Sequence, residues 1–347
     1  MIGKNLKYYR LQNKLTKKAM AEKIGVTAMS ITHYENDERM PDMRIIRQMM
    51  AVLNVKLADF LSARNNEHVY VHGEFRRNST LSEQSQEYIR ESVEEYLDRF
   101  FTVIAILGKK AVPEPPACRS LSVTQSVEAD ARQLRQHLGF ALEGPVQDLV
   151  GAMENKGILI YVFDMDSDKF SGMSGFVDDY PYVILNNNMT AERQRSTLVH
   201  ELAHLFLRFP EDMDEKAVEQ YATAVSGAFL FPQSDAYREL GLKRTKITKD
   251  MIMVAKEYGI SMLMLAKRAE ILKIVSEPLY REFMIQASQN NWRKYEPSRI
   301  PKEQPELFRQ LVIRAIGEGE ITPQRAAELL KAPYDHVMSM VRIHGED

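Results

Sequence analysis

The segment Thr197-Leu-Val-His-Glu-Leu-Ala-His-Leu-Phe-Leu-Arg-Phe209 constrains this chain more than any other, because it holds His200, Glu201 and His204 in the pattern H-E-x-x-H. On a helix, residues four apart lie one above the other, so His200 and His204 present two imidazole nitrogens to one point in space. Two such nitrogens begin a zinc site, and Glu201 sits beside its open position, where a carboxylate can take a proton from water. The helix must also be amphipathic. Leu198, Val199, Leu202, Leu205 and Phe206 form its core stripe and leave the polar residues to the other side. A catalytic zinc keeps three protein ligands, so a third donor is expected on a following element. Between Pro210 and Pro232 stand Glu211, Asp212, Asp214, Glu215 and Glu219. Ala217 to Phe231 reads as a small-residue-rich apolar helix with Glu219 as its one acid. Burying a carboxylate is costly unless it is paired or binds a metal. Glu219 is therefore the expected third ligand, with Glu215 one turn earlier as the alternative.

The runs Tyr182 to Asn186, Arg193 to His204 and Glu219 to Pro232 resemble the ImmA/IrrE metallo-endopeptidases. That resemblance implies a zincin-like α+β domain with a small antiparallel sheet. It also implies zinc held by His200, His204 and Glu219, with Glu201 as catalytic base. Thr223 and Val225 replace the family's usual Asn and Phe, a change of packing that removes no ligand.

The first 64 residues differ from the rest in charge, with twelve Lys and Arg against six Asp and Glu, in a chain whose overall net charge is only -2. Residues 3 to 13 read as a helix. Thr16 then caps a second helix that Gly25 ends, and Thr27 caps a third with Ile31 and Tyr34 turned inward. Two helices across a tight Gly turn on a basic segment form a helix-turn-helix pattern. Leu15 to Thr27, Ile31 to Asn36 and Pro41-Asp42 closely resemble the XRE (lambda-repressor-like) DNA-binding domains over residues 3 to 62. By that likeness Lys17 and the face of Thr27, Ala28, Met29, Thr32 and His33 enter the major groove, while Lys18 and Arg39 favour phosphates. Asp37 stands where that family usually has a helix-ending Gly. Ala28 and Met29 offer few hydrogen bonds to bases and suit a thymine methyl group.

Between these regions the pattern predicts a strand over Val69 to Phe75 and a long helix over Ser82 to Leu107. Its apolar positions Ile89, Val93, Tyr96, Leu97, Phe100, Ile104 and Leu107 recur at three and four, so one stripe must be covered, as in a spacer or dimer-forming helix. Pro113 to Pro116 mark a linker. Gly157 to Phe163 reads as a buried strand, and Ser171 to Val177 with Tyr182 to Asn186 as an antiparallel hairpin. The strand leading into the metal helix is expected to pair with an extended peptide at the sheet edge. Asp164, Asp166 and Asp168 alternate as in a calcium loop but lack its Gly and terminal Glu, so they read as a solvated turn. Cys118 reads as incidental.

The domains expected are a helix-turn-helix domain over 1–65, a strand and long helix with linker over 66–118, a zinc peptidase domain over 119–280, and a helical tail over 281–347. The fold class is α+β and mostly helical. Apolar residues at 44% and charged residues at 27% match an ordinary soluble protein. No run reaches the ~20 apolar residues of a membrane span. The start carries charge without an apolar run, and one Cys cannot form an internal disulfide, so a cytoplasmic location is expected. The expected partners are a double-stranded DNA operator, a regulatory protein as substrate and a second copy in a homodimer. The competing expectation is a transcription factor or antitoxin whose metal domain senses a ligand or partner without cutting it.

Overall fold

Side-chain caps punctuate the first sixty residues. Helices α1 (Gly3–Gln12), α2 (Lys17–Ile24), α3 (Ala28–Glu35), α4 (Met43–Leu53) and α5 (Leu57–Phe60) follow one another at short turns. Thr16, Thr27 and Asp42 accept hydrogen bonds from the amides of Ala19, Ser30 and Ile45, satisfying N–H groups that the first helical turns leave orphaned. Gly25 closes α2 in the left-handed region at φ 70°, where a side chain would be strained. Asp37 also takes left-handed backbone, at φ 56°. Its Oδ1 accepts the N–H groups of Ile2 and Gly3, both at 3.0 Å, and so caps α1 from the far end of α3. The Asp that departs from the XRE pattern thus replaces a Gly turn with a tertiary cap. Arg10 forks onto buried Glu35 at 2.5 and 3.2 Å and donates to the Leu15 carbonyl, which locks α1 to α3 and to the turn before α2. Leu6, Met20, Ile24, Ile31, Ile46, Met49 and Phe60 fill the centre.

The computed structural model describes residues 2–62, 64, 68–73 and 81–342. The chain divides into two units, one of Met1–Val112 with Leu307–Asp347, the other of Pro113–Glu306. The first unit continues with β1 (Tyr70–His72), and the expected strand residues Glu74 and Phe75 lie outside the described residues. Helix α6 (Glu83–Leu107), capped by Ser82, buries Ile89, Val93, Tyr96, Leu97, Phe100 and Ile104 on one stripe. Helix α1 packs along it, with Lys7 Nζ 2.9 Å from both Glu87 and Glu91.

In the second unit come β2 (Leu121–Ser122), α7 (Val127–His137), α8 (Leu149–Glu154), β3 (Leu159–Phe163), β4 (Gly172–Val177) and β5 (Tyr180–Asn186). After them come α9 (Ala191–Phe206), β6 (Leu207–Arg208), α10 (Glu215–Leu230), α11 (Gln233–Leu240), α12 (Asp250–Tyr258), α13 (Met262–Ile271) and α14 (Glu277–Gln289). Strands β4 and β5 form the expected antiparallel hairpin, from Gly172 opposite Leu185 to Val177 opposite Tyr180. The sheet is mixed, however, because β3 joins β5 in parallel, from Leu159 beside Tyr182 to Phe163 beside Asn186. This corrects the edge-pairing expectation. The strand that leads into α9 is bonded on both sides, so its backbone is spent and a peptide cannot add to it. Helix α9 lies across β4 and β5, and α10 packs between α9 and α7, around a core that includes Leu198, Leu202, Phe206, Val225 and Phe229.

Residues 296–306 have no regular structure, yet they are bonded down. Met262 N–H donates to Glu296 at 3.0 Å, Ser298 donates to the Ile260 carbonyl at 2.9 Å, and Ile300 N–H donates to buried Glu192 at 2.7 Å. Glu303 pairs with Arg195, and Glu306 N–H donates to Glu154 at 2.8 Å. The unit therefore extends to residue 306.

Helices α15 (Leu307–Gly317), α16 (Pro323–Leu330) and α17 (Tyr334–Val341) return to the first unit. Phe308 packs on Tyr96 and Phe100 at 5.3 Å each. Arg99 bonds the Leu329 carbonyl. Lys331 Nζ lies 2.9 Å from Glu95 and over the Tyr8 ring. The stripe on α6 is thus covered within the chain by α1 and α15, so the apolar period that suggested a dimer helix has an intramolecular cause. Among the described residues no helix is long and apolar enough to cross a membrane.

Candidate metal centre and DNA-reading face

Thr190 caps α9 by accepting from the Arg193 amide, and Asp214 caps α10 by accepting from the Ala217 amide. With both ends set, the apolar stripe fixes the rotation of α9. Leu198, Val199, Leu202, Leu205 and Phe206 are buried, and this turns His200 and His204 toward α10. Their Nε2 atoms stand 3.1 Å apart. The Glu219 carboxylate closes the triangle, with Oε2 3.3 Å from His200 Nε2 and Oε1 3.3 Å from His204 Nε2. Among the described residues this is the one group of three or more metal-capable side chains, its ligand atoms all within 4.8 Å of one another. Glu215 lies exposed in the first turn of α10, outside that group. Asp164, Asp166 and Asp168 do not gather either, and Asp164 instead accepts from Asn187 at 2.9 Å.

The donor set fits a metal. Two imidazole nitrogens and one carboxylate make the His2Glu set of catalytic zinc, and the three side chains are half-buried. Burial alone would raise the Glu219 carboxyl, but hydrogen bonding to His200 and His204 outweighs it and holds the group well below the usual carboxylate range. An ionised carboxylate is what a cation requires.

Two supporting contacts complete the site. Thr223 Oγ1 donates to the Glu219 carbonyl at 2.8 Å and lies 3.2 Å from His200 Nδ1. Its proton is committed to the carbonyl, so the hydroxyl accepts from Nδ1–H. That selects the tautomer whose Nε2 lone pair faces the cluster. The residue that replaces the family's Asn is therefore a positioning group. Its signal in the sequence is its place one turn after Glu219, on the same helix face. Ser174 of β4 donates to Glu201 Oε2 at 2.8 Å, orienting the expected base. This approach needs Gly172, where a Cβ would meet Thr197 Cγ2 at 2.7 Å and the Ile184 carbonyl at 2.8 Å. Nothing in the hairpin sequence pointed to Ser174. Cys118 is half-buried, and burial pushes its thiol up to about 11, the opposite of an activated nucleophile.

On the first unit, the expected DNA-reading residues gather at the start of α2 and along α3. Thr27 spends its hydroxyl as a cap, and Thr32 bonds back to the Ala28 carbonyl at 3.3 Å. Ala28 is exposed, and Met29 has 63% of its surface open to solvent. His33 Nδ1 is held 2.5 Å from Glu38, which fixes its ring. Lys17 Nζ lies 3.6 Å from Glu35, so its charge is shared with the buried Arg10 pair. Lys18 and Arg39 are exposed. Glu38, which the sequence did not single out, is the acid that limits what His33 can do.

Comparison with known proteins matches a stretch in each of these two regions. Residues 6–60 match the family described as helix-turn-helix. Residues 153–270 match the peptidase M78 family, described as an IrrE N-terminal-like domain, and this stretch contains His200, Glu201, His204 and Glu219. A curated protein of Bacillus subtilis (strain 168), described as the uncharacterized HTH-type transcriptional regulator YqaE, is 39% identical over 70 residues. That match spans 20% of this chain and 60% of the relative.

Proposed function

We propose that this chain, in which an XRE-type helix-turn-helix domain is joined to an IrrE N-terminal-like domain, is a transcription regulator that cuts a regulatory partner protein with zinc held by His200, His204 and Glu219. The observation that carries this reading is the convergence, among the described residues, of three donors rather than four beside a hydrogen-bonded carboxylate. A structural zinc is closed by four protein ligands, whereas a catalytic one keeps a position open. When bound, the zinc supplies Lewis-acid polarisation of water and of the scissile carbonyl oxygen.

The chain's own residues do the rest. Thr223 holds His200 in the tautomer that offers Nε2. Ser174 occupies Oε2 of Glu201 and leaves the other oxygen to take a proton from the attacking water. The water oxygen bonds to the carbonyl carbon, the C–N bond breaks, and Glu201 returns the proton to the departing amine nitrogen. The DNA operator engages α3 and the exposed Lys18 and Arg39. A homodimer suits a helix-turn-helix that reads two half-sites, and it would use a surface other than the covered stripe of α6. The single Cys118 suits a reducing cytoplasm.

Glu201→Gln tests the reading, because the amide keeps the shape and loses the base. Zinc content is expected to hold while cleavage of the partner falls about 10²–10⁴-fold. Fragments are followed by mass spectrometry with proteins encoded beside this chain, and promoter output is measured in cells. Equal promoter response with no fragments in either sample would replace this reading with a sensor that does not cut.

A further inference from the structure

Strand β4 and helix α9 run side by side in three steps. Gly172 meets Thr197, Ser174 bonds Glu201, and the next residue on the same face of the strand is Phe176, roughly 7 Å beyond Ser174. Over the Phe176 ring lies the guanidinium of Arg119, 5.8 Å from its centroid. Arg119 is anchored at the matching place on the helix, its N–H donating at 2.9 Å to the carbonyl of Leu205, the residue after His204. Two features set this arginine apart. Its backbone is left-handed at φ 49°, a conformation that strains a non-glycine residue and must be held by its surroundings. Its side chain is exposed, and among the described residues no carboxylate pairs with it.

We propose that Arg119 is a specificity determinant of the hydrolytic site, receiving an Asp or Glu side chain of the substrate close to the scissile bond. The inference rests on the hydrolytic reading given above. Side chains on one face of an extended peptide recur at the same roughly 7 Å interval as those on β4. A guanidinium one such step from the Ser174–Glu201 pair therefore reaches a residue one or two positions from the cut. Its place over the Phe176 ring restrains the guanidinium while leaving its N–H groups available. That is the arrangement in which arginine binds a carboxylate through two parallel hydrogen bonds.

The test uses the zinc-loaded full chain and a synthetic peptide library in which acidic, basic or neutral residues are placed in turn at four positions on each side of a central bond, with cuts read by mass spectrometry. Wild type should favour Asp or Glu at one position near the cut. Arg119→Glu should lower kcat/KM on those peptides about tenfold or more, the worth of a hydrogen bond between charged groups, and move the preference to Lys or Arg at the same position. Arg119→Ala should flatten that position alone, and Phe176→Leu should weaken the preference without reversing it. Zinc content and the Trp292 melting curve check that the variants fold. Cleavage by wild type with no acidic preference, or an unchanged preference in Arg119→Glu, overturns this inference and leaves the hydrolytic reading standing. No cleavage of any library member by wild type overturns both.

Discussion

The proposed DNA-reading face and the candidate metal centre are built in opposite ways. Thr27, Ala28, Met29, Thr32 and His33 belong to one short helix and its cap, so two threonine caps and one left-handed glycine nearly suffice to present them. The metal centre takes His200 and His204 from α9, Glu219 and Thr223 from α10, and Ser174 from β4. Its donors meet only because the apolar faces of α9 and α10 pack. A surface made from one helix tolerates change in single residues, whereas a site at the meeting of three elements fails when one donor goes.

That contrast is sharpest in Glu219→Ala. Removing one of three ligands should take zinc from about one per chain to near zero, while the N-terminal unit keeps its affinity for duplex DNA. Glu215→Ala should retain the metal. Plasma mass spectrometry beside fluorescence anisotropy on DNA measures both, and full zinc in Glu219→Ala would refute the ligand set.

A smaller effect is expected one layer out. Thr223→Val removes the acceptor for His200 Nδ1–H, and loss of such a supporting contact costs about 10–100-fold in metal affinity. Competition with a chelator of known affinity reads it. Thr223→Ser, which keeps the hydroxyl, should restore most of the loss.

On the DNA face, single changes should cost less and should separate by kind. Lys18→Ala should weaken all duplexes alike and shallow the salt dependence by about one counterion. Met29→Ala should cost about 1 kcal/mol, only on sites with a thymine methyl in reach. A salt titration over a set of duplexes distinguishes the two. An Ala variant at Met29 that weakens every sequence equally would remove it from base contact.

The mildest effect concerns stability and pH. Burial alone would raise the Glu95 carboxyl, but Arg99 and Lys331 outweigh it and hold it below the usual carboxylate range. The folded carboxyl then binds a proton more weakly than the unfolded one. Its contribution is whole above about pH 5 and fades as the pH falls through and below the usual carboxylate range. Urea melts of the first unit, read by DNA binding, should show a gap between wild type and Glu95→Gln at pH 7 that narrows toward pH 4. Trp292, which lies in the second unit, should report no such gap.

Much of this molecule was legible in short stretches of its sequence, for a local reason. Helix periodicity and caps act over one or two turns, so Thr16, Gly25 and Thr27 announced their helices. The spacing of His200 and His204 is itself a statement about one helix face. The place of Glu219 beside the two imidazoles was legible because an ionised acid in an apolar helix needs a partner.

What depended on distant residues meeting was decided by the tertiary structure alone. Asp37 reads as a defect in a turn until its carboxylate is seen on the amides of Ile2 and Gly3. Ser174 reads as a small strand residue until Gly172 lets β4 close on α9. The apolar period of α6 stated that something must cover it. That the cover is α1 and α15 of the same chain follows from Phe308 fitting against Tyr96 and Phe100. The period of a helix specifies which face must leave water, and any apolar surface of matching shape satisfies it. Only the packed structure selects which one does.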